Sequence, residues 1–181
     1  DGEPRELTYA QADRMVSAIA GRLRSMGLPT DSIVATQFPN TCESLLALLG
    51  IMRAGMIAAP MPMLWRRADC VAALSRIGTK ALMTCARIGP ADHAALAIEV
   101  AAEIFPIRHV CGFGGPLPEG FIPLDELFDD ALSGADIAFE PDRRDHPTLH
   151  IAAVTFDLTS EGIVPVARNH AELLAGGLSM L

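Results

Sequence analysis

The chain has 181 residues and a formal net charge of −8, and 50% of its residues are hydrophobic. This length suits one domain whose core needs no disulfide or metal support. Basic residues are adjacent only in the short pairs Arg66-Arg67 and Arg143-Arg144, and aromatic residues make up 5% of the chain. A nucleic-acid-binding surface needs clustered basic residues, so we expect no nucleic-acid partner.

Cysteines and apolar segments give further limits. The cysteines form no C-x-x-C pair, and we expect small buried side chains in a reducing compartment for Cys42, Cys70, Cys85 and Cys111. No metal site is predicted, because paired ligands at short spacing are missing. The densest apolar run, 45–52, is too short to span a membrane, which takes about 20 residues. We therefore predict a cytoplasmic protein without a membrane span, whose apolar surplus could form a homodimer contact.

Helices and strands are predicted to alternate along the chain. An amphipathic helix is predicted over 7–26, because Thr8 and Gln11 have capping-box spacing and apolar residues recur on one face. Thr41 is expected to cap the second helix and Pro90 to open the fourth. Later helices are predicted at 42–53, 67–77, 91–104, 123–132 and 170–181. Strands are predicted at 32–38, 56–61, 80–84, 107–111 and 150–156. Loops are predicted at 112–120 and 157–169, and a short strand at 163–166 is an alternative within the second loop.

Short apolar strands without polar alternation are typical of a sheet that is buried on both faces. The sequence therefore predicts an α/β fold, a layered and mostly parallel sheet flanked by helices. We divide the chain into an α/β subdomain over 1–112 and a connector with a short helix over 113–147. A strand, a turn and the start of a helix form the third segment, 148–181.

Known catalytic motifs are missing from the sequence. The run Gly112-Phe113-Gly114 resembles half of a dinucleotide fingerprint, but Leu117 stands where the third glycine is required. No G-x-x-x-x-G-K-[ST], H-E-x-x-H or G-x-S-x-G segment occurs. The five histidines are scattered and are interpreted as structural. We assign no catalytic residue, and a doubly wound domain that binds a small anion at a strand–helix junction remains an alternative.

An ordered set of segments carries a family resemblance. Leu7-Thr8-Tyr9 opens it, and a strand then ends in Pro39-Asn40. The helix end Met52-Arg53-Ala54-Gly55 follows, leading to Pro60, and 80–84 supplies the next strand. In this order and spacing, most of 7–112 resembles the amino-terminal portion of the adenylate-forming superfamily. That superfamily comprises acyl- and aryl-CoA synthetases, peptide-synthetase adenylation domains and luciferases.

The resemblance implies a phosphate-binding loop after the strand at 150–156. The family pattern T-S-G-[ST]-T-G-x-P-K-G points backbone amides and hydroxyls at ATP phosphates. Here it corresponds to a modified loop at Thr159, Ser160, Glu161 and Gly162, in which Thr159 replaces the first glycine and no lysine follows Pro165. The Glu161 carboxylate would repel a triphosphate and weaken ATP binding. An ordinary polar turn is the alternative interpretation.

The resemblance also implies a reaction. A carboxylic acid, such as a fatty acid, would attack ATP to form an acyl-adenylate, and the thiol of coenzyme A would then displace AMP. ATP, Mg²⁺ and coenzyme A are thus the cofactors implied for a full-length acid–CoA ligase. The family's adenine, acyl-chain and catalytic-lysine segments lie beyond this length, so we expect an inactive amino-terminal fragment that binds none of these cofactors tightly. A degenerate binding or scaffold domain derived from the family is the alternative.

Overall fold

A seven-stranded sheet forms the centre of the computed structural model, which describes residues 6–132, 134 and 139–179. The helices are α1 (Tyr9–Ser25), α2 (Cys42–Arg53), α3 (Arg67–Leu74), α4 (His93–Glu103), α5 (Asp125–Leu132) and α6 (His170–Leu178), and a 3₁₀ turn covers Pro147–Leu149. The strands are β1 (Ile33–Gln37), β2 (Ile57–Pro60), β3 (Ala81–Cys85), β4 (Arg87–Ile88), β5 (Ala91–Asp92), β6 (His109–Phe113), β7 (Phe121–Pro123), β8 (Ile151–Thr159) and β9 (Gly162–Asn169).

The strand order is β7-β6-β3-β1-β2-β8-β9, and β4 and β5 form a separate antiparallel pair. Neighbouring strands of the large sheet run parallel, except that β9 runs antiparallel to β8. The predicted α/β fold, a mostly parallel sheet flanked by helices, is confirmed. The chain leaves β1 toward β2 on one side and returns to β3 on the other, so the order reverses between β1 and β3. The carboxyl ends of such strands form the usual binding crevice of open α/β sheets.

Both faces of the sheet are covered by apolar helices. Successive residues of a strand point to opposite faces. Val34 and Met83 accordingly pack with α1, α2 and α5, while Ala35 and Leu82 pack with α3 and α4. This two-sided burial explains why the central strands have no polar alternation. Within the part of the chain that the structure describes, no helix is long and apolar enough to cross a bilayer.

The start of α1 agrees with the prediction, whereas the capping of α2 and the start of α4 differ from it. The Thr8 hydroxyl accepts the amide of Gln11 at 3.2 Å, and Gln11 accepts the amide of Thr8 at 2.9 Å, which completes the capping box. At α2 the residue Thr41 is the N-cap, but its side chain makes no capping hydrogen bond. Helix α4 begins at His93 rather than after Pro90, because the Asp92 carboxylate accepts the amide of Ala95 at 2.9 Å.

The predicted loops are the main corrections. Strand β6 continues to Phe113, into the predicted loop 112–120. Strand β7 follows this loop at 121–123 and pairs with β6. The predicted loop 157–169 is a β-hairpin, since β8 continues to Thr159 and β9 starts at Gly162, and the alternative strand at 163–166 lies within β9. Residues 133, 135–138, 180 and 181 of the predicted connector and last helix lie outside the described residues.

Candidate functional site

The four residues predicted to bind phosphate lie together at the tip of the β8–β9 hairpin, and all four are exposed. Thr159 pairs with Gly162 across the two strands, so that Ser160 and Glu161 form a two-residue turn. The Thr159 hydroxyl donates to the carbonyl of Gly162 at 3.0 Å and accepts the amide of Glu161 at 3.2 Å. Gly162 has a φ of +104°, which residues with a side chain rarely adopt.

This geometry determines what the turn offers to an anion. The Thr159 hydroxyl and the Glu161 amide, two of the groups that the family loop would direct at phosphate, bind each other instead. The carboxylate of Glu161 stands exposed at the same tip. The turn therefore presents a negative charge, which repels anions, and a hydroxyl and an amide that are already engaged with each other.

Three contacts fix the hairpin on the rest of the sheet. Strand β8 pairs with β2 at Ala153 and Ala58, and the Trp65 ring meets Phe156 edge-on with centroids 5.3 Å apart. The guanidinium of Arg76, just after α3, donates to the carbonyl of Ile163 at 2.9 Å. Arg76 is a cation beside the turn that the sequence analysis missed, because 87 residues separate these partners in the chain.

Two neighbouring cavities of about 620 and 290 Å³ lie at the carboxyl ends of the central strands. They share Cys85, Arg87, Phe113 and Gly114 in their walls. The Phe113 ring stacks on Phe128 with centroids 4.7 Å apart, which makes one wall flat and apolar. These cavities occupy the edge of the sheet where the strand order reverses, but none of the four hairpin-tip residues lines them.

Gln37 and His93 form a buried, hydrogen-bonded pair at this edge of the sheet. The Gln37 side-chain nitrogen donates to the carbonyls of Pro62 at 2.9 Å and Trp65 at 3.2 Å. Its oxygen therefore faces His93 Nδ1 at 3.1 Å, and that ring nitrogen must carry the proton. Burial lowers the pKa of His93, and the positive charge of Arg66 lowers it further while Asp92 opposes this. Burial thus favours the neutral form of His93, whose ring holds the Gln37 side chain in place.

Cys70 and Cys111 are buried as predicted, whereas Cys85 and Cys42 are not fully buried. Burial raises the pKa of Cys70 to about 11 and that of Cys111 to about 12, so both are inert thiols. Cys85 is half-buried, and its pKa is also raised by burial. Cys42 is exposed at the start of α2, which corrects the prediction that every cysteine is buried. Among the residues that the structure describes, no group of three or more His, Cys, Asp or Glu side chains could hold a metal ion.

A sequence profile described as AMP-binding enzyme matches residues 1–121. The chain belongs to this AMP-binding enzyme family. The resemblance to adenylate-forming enzymes in the sequence analysis is thereby confirmed. The matched region holds β1 to β6 and reaches the start of β7, and the hairpin follows it.

Curated relatives of this AMP-binding chain include enzymes of different types. It is 28% identical over 130 residues to the salicyl-AMP ligase / salicyl-S-ArCP synthetase of Mycobacterium tuberculosis. This alignment covers 71% of this chain and 22% of that protein. It is 41% identical over 61 residues to a long-chain-fatty-acid–AMP ligase of Mycolicibacterium smegmatis, or 34% and 10% of the two chains. It is also 31% identical over 104 residues to cyclosporin synthetase of Tolypocladium inflatum, covering 57% of this chain and 1% of that protein.

Solved structures share the fold. The acetoacetyl-CoA synthetase of Streptomyces lividans superposes with a TM-score of 0.80 at 20% identity, over 97% of this chain and 27% of that one. An anthranilate CoA ligase in complex with anthranoyl-AMP superposes with a TM-score of 0.76 at 17% identity, over 92% and 30%. The AMP-binding chain thus spans less than a third of the length of these proteins.

Proposed function

We propose that this chain is the amino-terminal part of an ATP-dependent acid–CoA ligase. The observation that carries the proposal is the AMP-binding enzyme match over residues 1–121. In such an enzyme ATP supplies the adenylyl group that converts a poor leaving group on the carboxylate into a good one. The contribution of this part is a rigid sheet that positions the β8–β9 hairpin beside the rest of the active site.

The hairpin tip supports a limited role in nucleotide binding. The Thr159 hydroxyl is engaged within the turn, and Glu161 adds a negative charge where ATP phosphates would approach. We therefore propose that the 181-residue chain alone binds ATP, Mg²⁺ and coenzyme A weakly and activates no carboxylate. In the longer enzyme the remaining polypeptide would supply the cations that hold the phosphates.

The proposed reaction requires a carboxylic acid as its substrate. Two of the relatives named above are, by their names, a salicyl-AMP ligase and a long-chain-fatty-acid–AMP ligase. Both acids pair one carboxylate with a largely apolar body. We propose that the acid bound by the longer enzyme also has one carboxylate and a largely apolar body, and that this enzyme is cytoplasmic.

A second function is a binding or scaffold domain that kept the fold and lost ATP chemistry. The closed two-residue turn favours it, because Thr159 and Glu161 bind each other where the family pattern offers open donors. An exposed apolar surface also suits a scaffold. Helix α6 has no buried residue among those described, and Leu173, Leu174 and Leu178 are exposed on it. A homodimer through this helix is part of the same proposal.

Product analysis distinguishes an acid–CoA ligase from an enzyme that stops at the adenylate. The longer gene product, if the chain is part of one, is incubated with ATP, Mg²⁺ and a panel of aromatic and fatty acids, with and without coenzyme A. We expect acyl-CoA to form only when coenzyme A is present, together with AMP. Acyl-AMP that accumulates unchanged in the presence of coenzyme A would exclude the ligase. Absence of both products from folded protein would favour the scaffold.

A further inference from the structure

Arg76 lies just after α3 and reaches the β8–β9 hairpin close to its tip. Its guanidinium donates through Nη1 to the carbonyl of Ile163 at 2.9 Å, and Ile163 is the residue that follows Gly162. Neighbouring residues of a strand are only about 3.3 Å apart along the strand. The guanidinium is therefore held beside the turn that Ser160 and Glu161 form.

The strand register shows on which side of the hairpin Arg76 lies. In an antiparallel pair, residues whose backbone groups bond to the partner strand alternate with residues whose backbone groups point away from it. Pro165 has no amide hydrogen, so its position opposite Phe156 is one of those that point away. Ile163 lies two residues earlier and belongs to the same set. Arg76 therefore binds the outer edge of β9 and leaves the pairing with β8 intact.

The positive charge of Arg76 is not compensated by any described residue. No carboxylate in the part of the chain that the structure describes forms an ion pair with it. Arg53 and Arg144, in contrast, pair with Asp13 at 2.8 Å and with Asp31 at 2.7 Å. A guanidinium carries several N–H donors, and the bond to the hairpin uses only Nη1 of Arg76. This exposed side chain therefore keeps donors that can bind an anion.

Arg76 supplies what the turn itself lacks. The Thr159 hydroxyl and the Glu161 amide bind each other, and the Glu161 carboxylate is negative. Phosphate groups are held by cationic side chains and by preorganised hydrogen-bond donors. The planar fork of an arginine matches two oxygens of one phosphate, so the bond is both charged and directional. Attraction by Arg76 thus opposes the repulsion by Glu161 at the same end of the hairpin.

We propose that Arg76 is a phosphate-binding residue, whose guanidinium pairs with a phosphate of ATP while Nη1 stays on the Ile163 carbonyl. This inference rests on the proposed function, in which ATP phosphates approach the hairpin tip. Arg76 is then a cation of this chain's own, besides those that the remaining polypeptide would supply. It adds a second segment, the end of α3, to the nucleotide site that the sequence analysis limited to 159–162.

Titration of the 181-residue chain with inorganic tripolyphosphate, followed by NMR, tests Arg76 directly. This probe has the phosphates of ATP without its base and sugar. We expect weak binding that shifts the amides of 160–163 and the Nε–H resonance of Arg76. Arg76→Gln should weaken binding by about fivefold, the upper end for an exposed charge pair. Arg76→Lys keeps the charge and a donor for Ile163, and should lose less than about twofold.

Arg108→Gln is the matched control for the loss of charge. Arg108 is also exposed, but it precedes β6 at the amino edge of the parallel strands, whereas the hairpin tip lies beyond their carboxyl edge. This variant should bind tripolyphosphate like the wild type. Equal losses in Arg108→Gln and Arg76→Gln, or no loss in Arg76→Gln, would overturn the inference.

The wild-type spectrum decides the matter if Arg76→Gln does not fold. An Arg76 Nε–H resonance that tripolyphosphate leaves unmoved, or shifts confined to amides away from the tip, would refute phosphate binding by Arg76. The ligase reaction is tested separately by the product analysis above, since the titration contains no acid and no coenzyme A. Tripolyphosphate binding through Arg76 without formation of acyl-CoA would refute the ligase and leave the phosphate contact standing.

Discussion

Gln37 shows how one side chain can bring together distant segments. It lies at the end of β1 and is 3% exposed, yet all its polar atoms are used by Pro62, Trp65 and His93. Buried polar groups cost little when every donor and acceptor is paired. Gln37 therefore fixes the crossover after β2 and the start of α4 at the carboxyl edge of the sheet.

Replacing Gln37 by Leu removes these bonds while keeping the volume similar. The carbonyls of Pro62 and Trp65 and the ring of His93 lose their partner, and we expect a loss of about 2 kcal/mol in the free energy of unfolding. Gln11→Leu is the comparison, since it removes one half of the α1 capping box and should cost about 1 kcal/mol or less. Urea denaturation measures both variants, and an equal or larger loss for Gln11→Leu would contradict the role of Gln37.

The lowered pKa values of two histidines predict how the stability of the chain depends on pH. Burial lowers the pKa of His93 and of His170 in the folded chain. The unfolded chain therefore binds protons first as the pH falls below about 6.5. The free energy of unfolding should decrease from pH 7 to pH 5.5. Urea midpoints across this range measure it, and a midpoint that rises on acidification would show that the direction is wrong.

The proposed role of the hairpin tip in ATP binding can be tested at Glu161. Its carboxylate is exposed at the turn, where solvent screens it. In the longer enzyme, Glu161→Gln should raise the affinity for ATP by up to about fivefold, the size expected for an exposed charge. Glu119→Gln, on an exposed loop before β7, is the matched control. An unchanged ATP dissociation constant in Glu161→Gln would place the turn away from the phosphates.

At the scale of elements, the contact between α1 and α2 depends on one glycine. A Cβ atom at Gly50 would lie 2.6 Å from Ile19 Cγ2 and 2.7 Å from Ile19 Cβ. The two helices can therefore approach closely only where α2 has no side chain. Gly176 in α6 is the opposite case, because a Cβ atom there meets nothing within 4 Å.

The two glycines predict opposite effects of the same substitution. Gly50→Ala should destabilise the chain by about 1–3 kcal/mol, because the clash with Ile19 exceeds the gain in helix propensity. Gly176→Ala should be neutral or stabilise by up to about 1 kcal/mol, since only the propensity changes. Thermal unfolding compares them. Effects of the same sign would contradict the close packing of α1 on α2.

Sequence patterns predicted elements well where local signals agree. The bounds of α2 are those predicted, and the α1 capping box forms as its spacing indicates. The β8–β9 hairpin was predicted as a loop in which a short strand at 163–166 was an alternative, whereas β9 extends over Gly162–Asn169. Pro165 is tolerated since β9 is an edge strand, where it pairs with Phe156. The contacts of Arg76 and Arg144 could not be predicted, because they join residues 87 and 113 positions apart.

At the scale of the whole molecule, fold and family agree while the candidate site is incomplete. The sheet superposes on CoA ligases over more than nine-tenths of the chain, and the AMP-binding match covers residues 1–121. The hairpin tip, in contrast, offers an engaged hydroxyl and a carboxylate. We therefore propose, as our central claim, that activation of a carboxylate needs groups beyond those that the described residues bring together.

Carboxylate-dependent exchange of pyrophosphate into ATP tests this claim most directly. It is measured on the folded 181-residue chain and on a longer gene product that contains it, with the same panel of acids. Exchange by the longer protein and none by this chain is the result that we predict. Exchange by the 181-residue chain itself would contradict the account, and so would its absence from a correctly folded longer protein with every acid.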